Sequence, residues 1–232
     1  MPNQIRKAVG AAMILSPLLG LVSAVALPAL RASANGKVAE IARHSDRWYL
    51  YALLGIASMA LFVPSVVGLT SMVAGRLPRL SLVGGGLALL GALVATGDAT
   101  TELMYWQMGA RGADRAQMAA LAERYENAAG TTLVFAVGGF ALIIGLLILG
   151  VALWRLRLAP AWAAIGVPVG VIVNIVGFSS NSNALVIASN VVLLAALGWI
   201  GAQWLSEPEG RSRHVLQPDE ASRRITARTA PR

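Results

Sequence analysis

The chain has 232 residues, of which 56% are hydrophobic and 13% charged, with a formal net charge of +8. A soluble domain carries about 25% charged residues, so this composition excludes a surface that faces water on all sides. The absence of cysteine excludes disulfides, thiolate nucleophiles, iron–sulfur clusters and zinc–thiolate sites.

Six long apolar stretches follow one another along the chain. Crossing ~30 Å of hydrocarbon at ~1.5 Å per residue takes about 20 residues. The stretches predict spans at roughly 8–31, 49–74, 80–104, 130–154, 161–179 and 183–205. The expected fold is therefore an all-α polytopic transmembrane helix bundle over residues 1–205. The first stretch follows Arg6 and Lys7 and precedes Ala32-Ser33-Ala34, as a secretory signal would. Its apolar run is longer than the about 7–15 residues of a signal core, so a retained helix is expected.

Orientation is read from the basic residues. With the N-terminus inside, the inner segments hold Arg6, Lys7, Arg76, Arg79, Arg155 and Arg157, and the C-terminal tail adds six arginines. The outer segments hold Arg31, Lys37, Arg43, Arg47, Arg111, Arg115 and Arg124, nearly balanced by Glu40, Asp46, Asp114, Glu123 and Glu126. The two inner loops are short and purely basic, which weighs most in topology. An N-in, C-in arrangement is expected. This distribution accounts for the positive charge without nucleic-acid binding.

Two segments outside the spans have their own signatures. Asp114 is placed to cap a helix, and Met118, Leu121 and Tyr125 follow at helical spacing. A short amphipathic helix lying on the outer membrane surface is expected there. Residues 206–232 are Arg-rich, contain Pro208, Pro218 and Pro231, and read as a disordered cytoplasmic tail.

Arg76-Leu77-Pro78-Arg79, between the second and third spans, echoes the turn from Arg155 to Pro160 between the fourth and fifth. Gly84 and Gly166 each follow those prolines by six residues. A parallel duplication and chance similarity between Gly/Ala/Leu-rich helices both account for the echo. Six spans, the Leu153-Trp154-Arg155 stop ahead of Pro160, and the third span with Gly84-Gly85-Gly86 together resemble a family of six-helix bacterial integral membrane proteins. That resemblance implies a location in the bacterial cytoplasmic (inner) membrane and no established activity. Arginine in place of lysine and abundant Ala, Gly, Leu and Val agree with a GC-rich bacterial genome.

The residues with chemical potential lie in the third span. Asp98 and Glu102 are four apart, so they share one helix face. Tyr105 is a turn beyond, and Gly91 lies two turns below, where it would leave a groove. Carboxylates in a span usually face a cavity or the bundle interior, where they can carry a proton for general-acid chemistry or coupled transport. The alternative is a wet helix end, since ~30 Å of helix from Leu80 is used up near Ala99. Asn174 and Asn190, on the fifth and sixth spans, fall at the same depth and are expected either to line that cavity or to hydrogen-bond between helices. Gly166 and Gly170 offer a close-packing face, for the bundle itself or for a homodimer.

His44 and His214 are the only histidines, so no histidine-rich metal site or paired-histidine haem ligation is expected, and no cofactor is called for. Three function classes remain: a non-enzymatic membrane protein with a polar, acidic cluster in the outer leaflet; a small intramembrane enzyme, terpene-cyclase-like, using Asp98 or Glu102 as proton donor on an apolar or isoprenoid-like substrate; and a proton-coupled transporter. The expected partners are the lipid bilayer and an apolar small molecule.

Overall fold

The computed structural model describes residues 3–206, so the expected tail lies outside the described residues. Eight helices and no strand occur there: α1 (Asn3–Ala26), α2 (Ala34–Arg43), α3 (Ser45–Ala74), α4 (Pro78–Met108), α5 (Arg115–Glu126), α6 (Ala129–Arg155), α7 (Ala161–Ser179) and α8 (Asn183–Ser206). Six of them, all but α2 and α5, are long and apolar enough to cross a membrane. The chain is a multi-pass membrane protein of the all-α class.

The six long helices close into a ring. Each packs against its neighbour in the order α1, α3, α4, α6, α7, α8 and back to α1, with α3 and α6 also touching across the middle. Every neighbouring pair is antiparallel. Ser16 on α1 meets Ser58 on α3, and Ser23 meets Tyr51. Gly170 on α7 meets Leu193 on α8, and Gly177 meets Val186. The start of α1 lies beside the end of α8, where Arg6 Nη2 donates to the Trp204 carbonyl at 2.9 Å and Trp204 Nε1 donates to the Arg6 carbonyl at 3.0 Å.

Helix ends follow local chemistry. α1 stops at Ala26, short of the expected 31, because Pro28 has no N–H to give and disfavours the helical backbone before it. Asn183 takes over there. Its Nδ2 donates to the Pro28 carbonyl at 3.0 Å, and its Oδ1 accepts from Leu30 N at 3.1 Å. Pro78 opens α4 at its first turn, where no N–H is needed. α4 has 31 residues, about 46 Å of helix, and so runs past the depth of a bilayer core.

One end of the ring carries Arg6, Lys7, Arg76, Arg79, Arg155 and Arg157 and, among the described residues, no acid. The other end is covered by α2 and α5, which pack on each other. We call these the basic end and the cap end. The apolar core divides in the same way. A large cluster built on Met13, Val66, Leu69, Leu146, Leu149, Leu197 and Ile200 fills the basic half. A smaller one containing Trp48, Tyr51, Tyr105, Met108 and Ile41 lies beneath the cap.

α5 appears where the sequence places a helix, with Asp114 Oδ1 accepting from Ala116 N at 2.9 Å and Gln117 N at 3.2 Å. Met118 and Tyr125 of the expected stripe pack partly buried against the cap cluster, and Leu121 departs from it. Ala119 and Ala122 are the buried residues of α5, while Leu121 is exposed. The reason is its docking on α2 and α4, which selects the small side chains that let helices approach. α2 was not expected. Its signal is faint, an N-cap Ser33 accepting from Gly36 N ahead of only two buried apolar positions, Val38 and Ile41.

Candidate functional site

The geometry of the α4–α6 pair sets the site. In the basic half these helices touch backbone to backbone over glycine. A Cβ on Gly145 would meet the Ala88 backbone nitrogen, and one on Gly91 would come within 2.5 Å of Leu142 N. Side chains larger than hydrogen are excluded, so van der Waals contact between backbones holds the pair. The last such glycine contact is Gly138 against Val94, and a Cβ on Gly97 or Gly130 would meet nothing within 4 Å. Beyond it, Thr132, Leu133, Val134, Ala136 and Val137 are exposed, covering most of the circumference of α6. Gly97, Asp98 and Thr100 are exposed on α4. The helices part there. The face of α4 that α6 covers at Gly84, Ala88 and Gly91 continues, uncovered, to Asp98 and Glu102.

Asp98 has protein around most of it and yet keeps accessible surface, as a group lining a concavity does. Glu102 lies deeper. Its Oε2 is buried and has no hydrogen-bond partner. Trp48, only 2% exposed, is in the same position, its indole N–H close enough to act on the Glu102 charge but making no hydrogen bond. A donor and an acceptor thus lie near one another, neither in a well-formed hydrogen bond among the described residues.

The surroundings are aromatic and acidic. Tyr51 packs edge-on to Trp48 with ring centroids 5.7 Å apart, and its hydroxyl lies within reach of both carboxylate charges. Tyr105 Oη donates to Glu126 Oε1 at 2.9 Å. Lys37 on α2 reaches the same Glu126 oxygen at 3.2 Å and sits 3.5 Å from the centre of the Tyr105 ring. Lys37 is the one cation acting on either Asp98 or Glu102 among the described residues, and its ion pair is already made with Glu126. No second cation stands beside Asp98 and Glu102 among the described residues. Tyr125 on α5 leans on Tyr105 at 6.3 Å. Burial, then the Asp98 carboxylate, push its phenol above the ordinary tyrosine range.

The six residues singled out by sequence fall into two groups. Asp98, Glu102 and Tyr105 come together under the cap. Asn174 and Asn190 are not near them, because α4 touches neither α7 nor α8. Asn174 Nδ2 donates to Ser189 Oγ at 2.9 Å, tying α7 to α8. Asn190 Nδ2 donates to the Val186 carbonyl at 2.8 Å, and the side chain lies against Gly20 of α1. Both serve helix packing. Gly91 likewise opens no groove, since Leu142 fills the space beside it. The Gly166/Gly170 face is occupied by Ala196 and Leu193 of α8 in the same chain, leaving no room there for a second copy.

Sequence reasoning did not find Trp48, Tyr51, Lys37 or Glu126 as neighbours of the carboxylates. Sequence places Trp48 and Tyr51 at the opening of the second span, at the same outer level but without implying contact with the carboxylates, and Lys37 and Glu126 are 89 residues apart in chain order. A second charged group was also missed: Glu40 is buried, with Arg31 Nη2 at 3.2 Å and His44 Nε2 at 3.4 Å. No group of three or more metal-ligating side chains occurs among the described residues. No protein-family model, curated protein or solved structure matches the chain.

Proposed function

We propose that this membrane protein binds an apolar small molecule bearing a cationic or hydrogen-bond-donating head, with Asp98 and Glu102 as the recognition groups. The observation that carries the reading is the orphaned pair, Glu102 Oε2 and Trp48 Nε1, at the foot of the opening between α4 and α6. A ligand head that gives a hydrogen bond to the carboxylate satisfies the first. The excess of carboxylate over the single neighbouring Lys37 favours a positive head, and Trp48, Tyr51 and Tyr105 offer rings to an apolar or cationic body. The exposed apolar residues Leu133, Val134 and Val137 on α6 give such a body a route in from the lipid side. Acid catalysis on an isoprenoid-like substrate and proton-coupled transport would use the same pair, and binding is the step they share. The purely basic short loops support an N-in, C-in orientation that turns this opening to the outer leaflet of a bacterial inner membrane.

The test is equilibrium dialysis of the full chain in lipid nanodiscs against tetraphenylphosphonium and against triphenylphosphine oxide, a neutral molecule of related apolar body. Preference for the cation by about tenfold, equivalent to ~1.4 kcal/mol, is expected, and Glu102→Gln should remove it while the protein remains folded. Equal retention of both probes, unchanged by Glu102→Gln, contradicts the reading.

A further inference from the structure

At the basic end, the turn between α6 and α7 borders a cavity of about 630 Å³ lined by Trp154, Arg155, Arg157, Leu158, Pro160 and Trp199, among others. That volume lies within the roughly 300–1,000 Å³ of small-molecule sites. Its lining combines charge with apolar surface. Arg155 and Arg157 are both exposed there, and among the described residues neither guanidinium makes a hydrogen bond or ion pair. Leu158, Pro160 and the two tryptophans supply the apolar part, with Trp199 held edge-on by Trp162 at 5.8 Å. The first turn of α7 begins at Ala161 on the cavity wall, adding outward-pointing N–H groups and the positive end of the helix dipole.

The backbone at Arg157 gives a second, independent sign. Arg157 has φ +54°, the left-handed region, and it ends α6 with Arg157 N donating to the Trp154 carbonyl and Leu158 N to the Leu153 carbonyl at 3.0 Å. That is the helix-ending turn in which glycine is preferred, because a Cβ is strained there. The end of α7 makes the same turn with Asn181, also at φ +54°, a residue that tolerates it. At α6 the position holds a long cationic side chain, an unfavourable choice for the turn by itself. Arg76 Nη1, donating to the Leu156 carbonyl at 3.4 Å, steadies the loop from α3's end of the bundle and brings a third guanidinium to it.

We infer that this cavity binds the phosphate of an anionic phospholipid, with Arg155 and Arg157 on the phosphate and Trp154, Trp199 and Leu158 against the glycerol and upper acyl chains. Two guanidiniums that no acid neutralises among the described residues match the charge, and arginine, tryptophan and leucine in one lining match an amphiphile seated at a membrane surface. The site is remote from Asp98 and Glu102 and does not depend on their role.

The experiment uses the full chain released from detergent micelles into the gas phase for native mass spectrometry, with phosphatidylglycerol, phosphatidylcholine or inorganic phosphate added. Phosphatidylglycerol should be retained in preference to phosphatidylcholine. Arg155→Gln and Arg157→Gly should each lower that retention by about fivefold, the factor matching ~1 kcal/mol per basic residue near an anionic surface. Arg157→Gly also relieves the turn, so its melting temperature should equal or exceed that of the parent, which separates lost binding from lost folding. Equal retention of the two lipids, or undiminished phosphatidylglycerol on Arg157→Gly, overturns the inference. Displacement of all bound lipid by millimolar phosphate would overturn it too, by identifying a free anion as the occupant.

Discussion

In the basic half α4 and α6 are brought together backbone to backbone over glycine, whereas beneath the cap side-chain hydrogen bonds and charge tie helices that stand further apart. In the first, Gly84, Gly91 and Gly145 bring α4 against α6 with no space left for a methyl group, and leucines fill the centre. In the second, Asn183, Ser23, Lys37 and Glu126 each reach across to another part of the fold. Close packing between α4 and α6 in the basic half leaves no space for a ligand between them there. Polar ties between helices that have moved apart leave space, and the orphaned atoms of Glu102 and Trp48 lie in that half. The lesson is that a helix pair can be sealed at one level and open at another while its sequence stays apolar throughout.

The contrast can be broken most severely at the glycine contact. Gly145→Leu should cost more than about 3 kcal/mol, at or beyond the upper end for overpacking a core, because the obstacle is backbone at Ala88 rather than a movable side chain. Gly139→Leu, where nothing lies within 4 Å, should stay within ~0.5 kcal/mol. Reversible unfolding in mixed micelles measures both. A similar loss at the two positions would show that the glycines do not seal this half.

An intermediate effect is expected at Glu40. Removing one member of a buried ion pair costs roughly 3–5 kcal/mol, but the Arg31 side chain is 49% exposed and its charge can return to water. Glu40→Ala should therefore cost only about 1–2 kcal/mol. In an Arg31→Ala background the loss should be clearly smaller, because one partner of the Glu40 carboxylate is already gone, and an equal loss would show that Arg31 contributes little. A double-mutant cycle separates the two.

The smallest effect concerns Tyr125. Its folded-state phenol titrates above the unfolded value, so the group contributes stability below about pH 10, the ordinary tyrosine value, and that contribution is lost as pH rises through the folded value. Tyr125→Phe should remove this alkaline component of the melting curve and leave neutral-pH stability almost unchanged. An unaltered alkaline slope would place the titration elsewhere in the cap.

How much of this was legible beforehand depends on the range of the interaction. The spans could be read because hydrocarbon thickness imposes a length on every crossing helix, and α6 through α8 end within about two residues of where composition places them. The end of α1 was misjudged because Pro28 outweighs the apolar residues beyond it. Asp98, Glu102 and Tyr105 were visible as a face of one helix, a local relation set by 3.6 residues per turn. Trp48 and Lys37 were not visible, since only the packing of α2, α3 and α5 around α4 brings them there. The asparagines misled for the same reason: equal depth in the membrane does not make two helices neighbours in a ring.

The central claim is that α4 and α6 are sealed up to Val94 and open from Asp98 onward. Because the chain has no cysteine, single cysteines introduced at positions 91, 94, 98 and 102 can be labelled one at a time with a membrane-impermeant maleimide added to intact cells. Labelling from outside at 98, slower labelling at 102, and none at 94 or 91 is the expected result. Protection at 98 and 102 alike, or labelling of 98 only from the cytoplasmic side, would contradict the account.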